Sequence, residues 1–406
     1  MKTHLLRTWI GCATAVAVVA LQLNAQPAPA TTGTAPHLKY AVIDMGAFGG
    51  NFSQAFGISD RGHIGAGSTL ADGTFHAALW TERGGLVDLG TLGGPNSAAN
   101  TPNLLDELPI QSETSAVDPY NENFCMFFTN HLCEAAVWRD GHMRQLTTLG
   151  GNNAEAWAVN NFGEVAGFSE TAVKDGSCAS SLPSQVFQYQ AVTWDRNGRV
   201  HELRPLHGDS VGFGFAINDW GQVVGASGQC GNTAIPPGPN APHAVLWGAD
   251  GRAVDLGSLS GTAGAEPNVA DSINDLGEVV GGSRAKDGTI HPFLWTRATG
   301  MLDLGTFPGA VVTVAGCCNT NNNRGQIVGF SIDGTTGNSR AFLWQNWHMI
   351  DLNTLISPDS GWYLQNASSI NDEGEIAGSG LIDGNVHGFL AVPCDRAHAR
   401  VAGCQD

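Results

Sequence analysis

The stretch INDLGEVVGGS, residues 273–283, predicts a short strand, a tight turn and a second strand. The side chains of Asn274 and Asp275 can bond the local backbone, and Gly277 can take the positive φ that such a turn requires. Similar stretches stand elsewhere in the chain, namely VNNFGEVAGFS from 159, INDWGQVVGAS from 217 and INDEGEIAGSG from 370. The hairpin is therefore one part of an internal repeat.

Three sequence blocks recur in a fixed order, and each occurs seven times. The hairpin block begins at Ile58, Val117, Val159, Ile217, Ile273, Asn321 and Ile370. The second block is a short apolar run that usually ends in Trp, such as HAVLW from 243, and the third resembles AVDLG from 253. The hairpins follow one another at intervals of 42 to 59 residues, which is typical of propeller blades.

Each unit is predicted to hold four strands, here called A, B, C and D in chain order. A and B form the hairpin, C is the apolar run buried on both faces, and D is the DLG strand. Seven four-stranded sheets around an axis make an all-β, seven-bladed β-propeller. An open solenoid is the alternative, but the sequence shows no caps for its two ends.

The order of the blocks predicts how the ring closes. The first block is a lone D strand, YAVIDMG from 40, and the seventh unit ends after its C strand, HGFLAVP from 387. We expect residues 40–45 to pair with residues 387–392 as the outer strand of the seventh blade. This pairing would remove two exposed sheet edges.

The repeat resembles the bacterial extracellular HAF-repeat family, named for its His-Ala-Phe motif. The resemblance rests on the hairpin, on runs such as HAALW from 76 and on DLGTLGG from 88, and it covers residues 40–392. It departs from the pattern in unit two, where VDPYNENFCMF from 117 lacks the turn glycine, and in unit six, where Asn321 replaces an apolar residue. The resemblance implies the repeat fold and brings no catalytic residues with it.

The first residues predict export. Lys2 and Arg7 precede an apolar run that is too short to span a membrane, and small residues follow at Ala25 and Ala30. We expect a signal peptide over 1–25, with cleavage as late as 30, a linker over 26–39, the propeller over 40–392 and a C-terminal tail over 393–406. The mature protein is predicted to be secreted, either extracellular or periplasmic, without membrane insertion, and monomeric.

Composition excludes some partners and favours disulfides. The net charge of −18 is unsuited to nucleic acid or an anionic membrane. Outside the signal peptide eight cysteines remain, an even number that favours disulfides in an oxidising compartment. Proximity suggests the pairs Cys125–Cys133, Cys178–Cys230, Cys317–Cys318 and Cys394–Cys404, although eight cysteines allow 105 pairings.

Loop lengths predict which face of the propeller binds a ligand. Successive strands alternate direction, so the B–C and D–A connections share one face and the A–B and C–D turns share the other. The long segments lie on the first face: the D–A link over 93–114 and the B–C links over 170–189 and 228–242. Variable loops on a rigid scaffold are typical of binding surfaces.

Candidate ligand-binding residues are those predicted to line the channel mouth on strand A. They are Gln54, Phe56, Glu113, Glu155, Trp157, Phe215 and Asp271. Two carboxylates beside aromatic rings suit a sugar, a calcium ion or acid–base work on a glycosidic bond. The alternative is that these residues are hydrated and bind nothing.

These observations predict a secreted binding or scaffold module for an extracellular glycan or protein, with no cofactor and no metal motif. A polysaccharide hydrolase or lyase that uses Glu113 and Glu155 is one alternative. A structural component of the cell surface is another. The four histidines at one repeat position, His76, His243, His291 and His387, are predicted to be structural.

Overall fold

The repeat blocks fold into antiparallel strands. The computed structural model describes residues 39–180, 185–232, 241–262, 267–316, 319–395, 398, 401, 403 and 404. The predicted signal peptide and all but the last residue of the linker lie outside the described residues, as do Cys317 and Cys318.

The described residues form strands of three to ten residues, with four 3-10 helices in the connections. The strands are β1 (Tyr40–Asp44), β2 (Ser53–Ile58), β3 (Ile64–Thr69), β4 (Phe75–Thr81), β5 (Gly85–Gly90), β6 (Gly93–Ala99), β7 (Leu108–Val117), β8 (His131–Arg139), β9 (His142–Gln145), β10 (Gly150–Val159), β11 (Val165–Lys174), β12 (Phe187–Trp194), β13 (Val200–Leu203), β14 (Val211–Ile217), β15 (Val223–Gly228), β16 (His243–Trp247), β17 (Ala253–Asp255), β18 (Asn268–Ile273), β19 (Val279–Arg284), β20 (Ile290–Thr296), β21 (Gly300–Asp303), β22 (Ala310–Ala315), β23 (Ile327–Asp333), β24 (Ser339–Gln345), β25 (His348–Asp351), β26 (Tyr363–Ile370), β27 (Ile376–Ile382) and β28 (Asn385–Pro393). The 3-10 helices are Gly176–Ser180, Cys230–Asn232, Leu352–Thr354 and Pro358–Ser360.

The strands assemble into an all-β propeller. Five sheets have four strands each: β2 to β5, β6 to β9, β10 to β13, β14 to β17, and β26, β27, β28 with β1. The first strand of each set is the innermost, and contacts between inner strands of neighbouring sheets join β10 to β14, β14 to β18 and β2 to β26. The apolar cores lie in the wedges between adjacent sheets, as in the cluster that joins Ala135 and Val137 to Val165, Val192 and Trp194.

The prediction of seven separate sheets needs correction, because β18 to β25 form one eight-stranded sheet. Its two antiparallel quartets, β18 to β21 and β22 to β25, meet through one parallel pair, Ile290 with Val312. The short outer strand β21 covers β20 only from Phe293 to Thr296, so Ile290 is free to meet the next quartet.

The closing strand is where the sequence predicted it. β1 pairs antiparallel with β28, from Tyr40 opposite Pro393 to Asp44 opposite Phe389. The amide of Met45 adds a hydrogen bond of 3.0 Å to the carbonyl of Gly388. The N-terminal strand therefore completes the last sheet, and this prediction is confirmed.

The register predicted for unit two is wrong. Its A–B hairpin is formed by β6 and β7, and residue 117 lies at the end of strand B rather than strand A. The turn glycine is replaced by Asp106, which has a φ of 58°. Asp tolerates this left-handed conformation, so the turn forms without the glycine that marks the other units. The predicted long D–A link over 93–114 is therefore largely these two strands.

A ring of asparagines explains why the hairpin recurs. At six of the seven tips an Asn side chain caps its own turn; in Asn160, for example, Oδ1 accepts from the amides of Phe162 (3.1 Å) and Glu164 (3.0 Å). Its Nδ2 also donates to the backbone carbonyl of the equivalent residue in the next hairpin. These links run from Asn103 to Asn160 (2.9 Å), Asn160 to Asn218 (3.2 Å), Asn218 to Asn274 (3.1 Å), Asn274 to Asn322 (3.2 Å), Asn322 to Asn371 (2.9 Å) and Asn371 to Ser59 (3.1 Å). One residue type thus closes the turn and joins the sheets.

The Trp at the end of strand C lies between adjacent sheets. The indole Nε1 of Trp194 donates to the carbonyl of Thr147 at 2.7 Å, and that of Trp247 donates to the carbonyl of Arg204 at 2.7 Å. Both indoles are fully buried. Each carbonyl belongs to the link that follows the outer strand of the preceding sheet, so the indole bonds one sheet to the next.

Candidate functional site

The face that carries the B–C and D–A connections, here called the loop face, has three expanded B–C loops side by side. They span 118–130 between β7 and β8, 175–186 between β11 and β12, and 229–242 between β15 and β16. The B–C turn between β27 and β28 has only two residues. The expansion is therefore confined to part of the loop face, and the first of these loops was not recognised in the sequence.

Disulfides hold these loops. Cys125 is bonded to Cys133 within the first loop and its following strand, and Cys178 is bonded to Cys230 across the second and third loops. A third disulfide joins Cys394 to Cys404 in the tail. These three predicted pairs are confirmed, and the predicted Cys317–Cys318 pair lies outside the described residues.

Loop 118–130 covers the inner end of the neighbouring sheets. Phe124 packs against Phe168, with ring centroids 5.4 Å apart, and Phe127 packs against Phe75 at 6.2 Å. They join an aromatic cluster that includes Trp157 and the aromatic residues of β14. The loop is thus part of the apolar core as well as of the surface.

The backbone of this loop is strained at several residues. Asn121, Met126, Phe128 and Asn130 all have φ between 57° and 61°. Asparagine adopts this left-handed conformation readily, whereas in residues with bulky side chains it raises the free energy. Phe128 is the most informative of these residues, because it is 56% exposed and so recovers little of that free energy by burial.

Buried carboxyl groups anchor the loop to the next sheet. Glu122 Oε1 accepts from the amide of Val186, and the Glu122 carboxyl also lies within hydrogen-bonding reach of Glu170. Glu170 Oε2 accepts from Asn153 Nδ2 at 3.1 Å, and Asn153 Nδ2 also donates to Asp118 at 3.1 Å. Burial, together with repulsion from Glu122, raises the pKa of Glu170 to about 9. The Glu122–Glu170 pair therefore holds a proton at neutral pH.

The predicted pair of carboxylates, Glu113 and Glu155, does not share a strand position. Glu113 lies on strand B of its sheet, β7, where it accepts from Asn96 Nδ2 at 2.8 Å and from the hydroxyl of Thr129. Burial raises the pKa of Glu113 despite these hydrogen bonds. Its structural equivalent in the next sheet is Glu170, because Asn153 bonds Glu170 as Asn96 bonds Glu113. The assignment of Glu113 to strand A is therefore wrong, and it follows from the misplaced hairpin of unit two.

Glu155 lies on the inner strand β10, in an apolar setting. Its carboxyl accepts from Trp157 Nε1 at 2.8 Å, and its oxygen lies within 4.8 Å of the sulfurs of Cys125 and Cys133. Burial raises the pKa of Glu155 to about 8. Both sulfurs are engaged in a disulfide, so this cluster has no thiolate to offer a metal. Among the described residues no hydrogen bond or ion pair joins Glu155 to Glu113.

The other predicted residues lie on inner strands. Phe56, Trp157, Phe215 and Asp271 each occupy a β-bulge in β2, β10, β14 and β18. Trp157 contacts Phe215, with ring centroids 5.2 Å apart, and Phe56 packs against the same cluster. Gln54 and Asp271 are buried, and burial raises the pKa of Asp271 well above its usual range. The structure thus gathers the aromatic residues but covers them, so in this conformation they are closed to a large ligand.

The repeated histidines pair with the repeated aspartates. His Nδ1 of strand C lies beside the carboxylate of the DLG strand in four sheets, and the same Asp caps a glycine amide two residues later. The pairs are His76 with Asp88 (3.0 Å), His243 with Asp255 (3.4 Å), His291 with Asp303 (2.9 Å) and His387 with Asp44 (3.0 Å). The pairing within one sheet supports the predicted structural role.

The opposite face, here called the turn face, has a polar cavity at the axis that no sequence motif predicted. It measures about 110 Å³ and is lined by the hairpin tips, Asp60, Asp219, Asp275 and Asp372 among them. In several hairpins the backbone amide of the second tip residue donates to the Asp or Asn side chain at the same position of the next hairpin. Asp219 N, for example, donates to Asp275 Oδ1 at 2.9 Å. The second residue of the tip, which is Asp in four of the seven units, was the sequence signal for this cavity.

Comparison with known proteins supports the fold. No protein-family model matches the sequence, and no curated protein matches it. Virginiamycin B lyase from Staphylococcus aureus is similar in structure, with a TM-score of 0.50 and 11% identity, over 87% of this chain and 99% of the lyase. A puromycin hydrolase mutant gives 0.51 and 12% identity, over 82% of this chain and 50% of the hydrolase. At these identities the similarity shows the propeller fold and no activity.

Among the described residues, no helix is long and apolar enough to cross a membrane.

Proposed function

We propose that this protein is an exported repeat propeller that binds an extracellular glycan or protein through its loop face, at loop 118–130. The observation that carries the proposal is Phe128. Its ring is held in solvent by a backbone conformation that costs about 1–3 kcal/mol for a bulky residue. Strain that persists where the surrounding structure enforces it is characteristic of ligand-binding segments.

The surface around this loop suits a ligand with both apolar and polar groups. Tyr120 and Val117 at the start of the loop are exposed, as is Val173 in the neighbouring sheet. Lys174 Nζ lies 4.4 Å from the ring centroid of Tyr120 and donates to its hydroxyl at 3.1 Å. Aromatic faces beside hydrogen-bonding groups are the usual means of binding a sugar ring or a protein side chain.

A polysaccharide hydrolase or lyase is not the function that the geometry favours. Glycoside hydrolysis commonly uses two carboxyl groups that face one substrate. Glu113 and Glu155 are buried, lie on non-equivalent strands and have different hydrogen-bond partners.

We also propose seven blades, membership of the HAF-repeat family and secretion. The two quartets of the eight-stranded sheet meet through one parallel pair, and a similar parallel bridge joins Phe52 to Val386 between separate sheets. This supports counting the quartets as two blades. The His–Asp pairs give the family's motif a physical role, and the disulfides fit an oxidising compartment.

A glycan array with the mature protein, with and without calcium, tests the proposed function, followed by affinity measurement for any glycan that binds. We expect the double variant Tyr120→Ser, Phe128→Ser to weaken binding about tenfold or more. Trp347→Ser removes an exposed aromatic ring from the turn between β24 and β25 and is the matched control, with binding unchanged. Undiminished binding by the double variant would place the ligand elsewhere, and release of sugar products on incubation would favour the enzyme alternative.

A further inference from the structure

One position of the hairpin tip differs between blades in a patterned way. The third residue of the tip is apolar in four successive sheets and charged in the other three units. The apolar residues are Leu105, Phe162, Trp220 and Leu276, and the charged residues are Arg324, Glu373 and Arg61. Since the same turn accepts both kinds of residue, the fold does not require an apolar side chain there.

The four apolar side chains are exposed. Phe162, Trp220 and Leu276 are 65%, 69% and 66% exposed, and Leu105 is 59% exposed. The indole Nε1 of Trp220 donates to the carbonyl of Asp275 at 2.8 Å, so the ring lies toward the tip of the next sheet. These residues lie at the tips of four successive hairpins, in an arc along about half of the turn face that is here called the apolar crescent. Exposed apolar side chains grouped on one part of a surface are a feature of interaction sites.

The crescent borders the polar cavity at the axis, which is acidic. Asp60, Asp219, Asp275 and Asp372 line that cavity, and its described lining includes no Lys or Arg. Burial raises the pKa of Asp60 and of Asp275, and repulsion from neighbouring carboxylates raises it further. A cation would relieve this repulsion.

The negative charge of the cavity indicates which kind of partner can bind this surface. A second copy of the chain packed face to face would place two acidic mouths opposite each other, and an anionic membrane would be repelled in the same way. A segment with a basic residue among apolar residues complements both features at once.

We propose that the turn face docks a segment of a partner protein that places a Lys or Arg side chain at the acidic mouth and apolar side chains on the crescent of Leu105, Phe162, Trp220 and Leu276. This surface is separate from loop 118–130 and does not rest on the function proposed there.

Two blocked synthetic peptides test the proposal with the whole mature protein. Both have the sequence Leu-Phe-X-Gly-Phe-Leu, with Lys or Glu at X, and binding is followed by fluorescence anisotropy at low and high salt. We expect the Lys peptide to bind at least fivefold more tightly than the Glu peptide, with the difference lost in high salt.

Matched variants locate the site. Trp220→Ser should weaken binding of the Lys peptide at least fivefold, whereas Trp347→Ser, which removes a 73% exposed Trp outside the crescent, should leave it unchanged. Asp60→Asn with Asp275→Asn should reduce the Lys preference, and Asn161 shows that the position accepts an amide whose oxygen bonds the adjacent tip. The proposal is overturned if neither peptide binds, if both bind equally, if Trp220→Ser has no effect, or if only vesicles of anionic lipid bind.

Discussion

Asn218 shows how one side chain serves both a turn and an interface between sheets. Its Oδ1 accepts from the amides of Trp220 and Gln222, and its Nδ2 donates to Gln222 and to the carbonyl of Asn274. Asn218→Ser should therefore lower the free energy of unfolding by about 1–3 kcal/mol. Urea unfolding of the two proteins, followed by circular dichroism, measures the difference.

The ring of asparagines also offers a variant that should add a link instead of removing one. Ser59 occupies the position that is Asn in the other tips. Its carbonyl accepts the last link, from Asn371, and its hydroxyl donates to the carbonyl of His63. Among the described residues no hydrogen bond joins Ser59 to Asn103. Ser59→Asn should add the absent link and raise the free energy of unfolding by about 0.5–1.5 kcal/mol. A loss of stability would show that this tip cannot accommodate the amide.

Buried carboxyl groups should make stability fall as pH rises. Burial raises the pKa of Glu155 from 4.5 to about 8, so the folded chain holds this proton more tightly than the unfolded chain does. The resulting stabilisation is complete below pH 4.5 and is lost as pH rises through about 8. For this group and for Glu170, whose pKa is about 9, we expect the Tm to decrease between pH 5 and 9.

Glu155→Gln keeps an acceptor for Trp157 but cannot ionise, so the variant should lose less stability over this range than the natural protein. Glu202→Gln, at an exposed position, should leave the pH profile unchanged. Parallel profiles for Glu155→Gln and the natural protein would show that the carboxyl titrates in its usual range.

Single residues also mark the limit of sequence interpretation. Glycine at the tips identified six hairpins. In the remaining hairpin, that of unit two, Asp106 adopts the same left-handed backbone, so its position could not be identified from glycine. Because Asp stands there instead of Gly, Glu113 was assigned to strand A although it lies on strand B. The exposure of Phe128 and of Trp220 depends on what covers them, and a pattern of residue types along the chain does not contain that information.

At the scale of elements, the disulfide between two expanded loops links neighbouring sheets. Cys178 and Cys230 are 52 residues apart in sequence, so losing the bond should cost about 4 kcal/mol through the entropy of the unfolded chain. We expect mass spectrometry of unreduced peptides to recover the linked pair. The double variant Cys178→Ser, Cys230→Ser should lower the Tm more than Cys394→Ser, Cys404→Ser, whose bond spans 10 residues and should cost about 3 kcal/mol.

Strand blocks were predictable because each combines a turn signal with a short apolar run, as β16 and β17 do. The connections were less so. The B–C loop 118–130 has no repeat partner from which its boundaries could be taken, and its packing on Phe168 depends on contacts far apart in sequence. The joining of two quartets through Ile290 and Val312 depends on the length of β21, which the periodicity does not set.

At the scale of the whole molecule, the N-terminal strand should be required for stability. Tyr40, Ala41 and Met45 are buried against the last sheet. A chain that begins at Gly46 should melt about 5 °C or more below one that begins at Lys39, because it exposes the edge of β28. Equal Tm values would show that the ring is stable without its closing strand.

The pairing of β1 with β28 also fixes how the ring responds to a pulling force. The chain enters at Tyr40 and leaves at Pro393, and these residues lie opposite each other at the same end of an antiparallel pair. Tension applied between the two termini would load the hydrogen bonds one after another, starting at that end, instead of shearing all of them together. The propeller should therefore open like a zipper at low force when it is tethered through both ends, and it should resist traction far better when it is held through the loops of two opposite sheets.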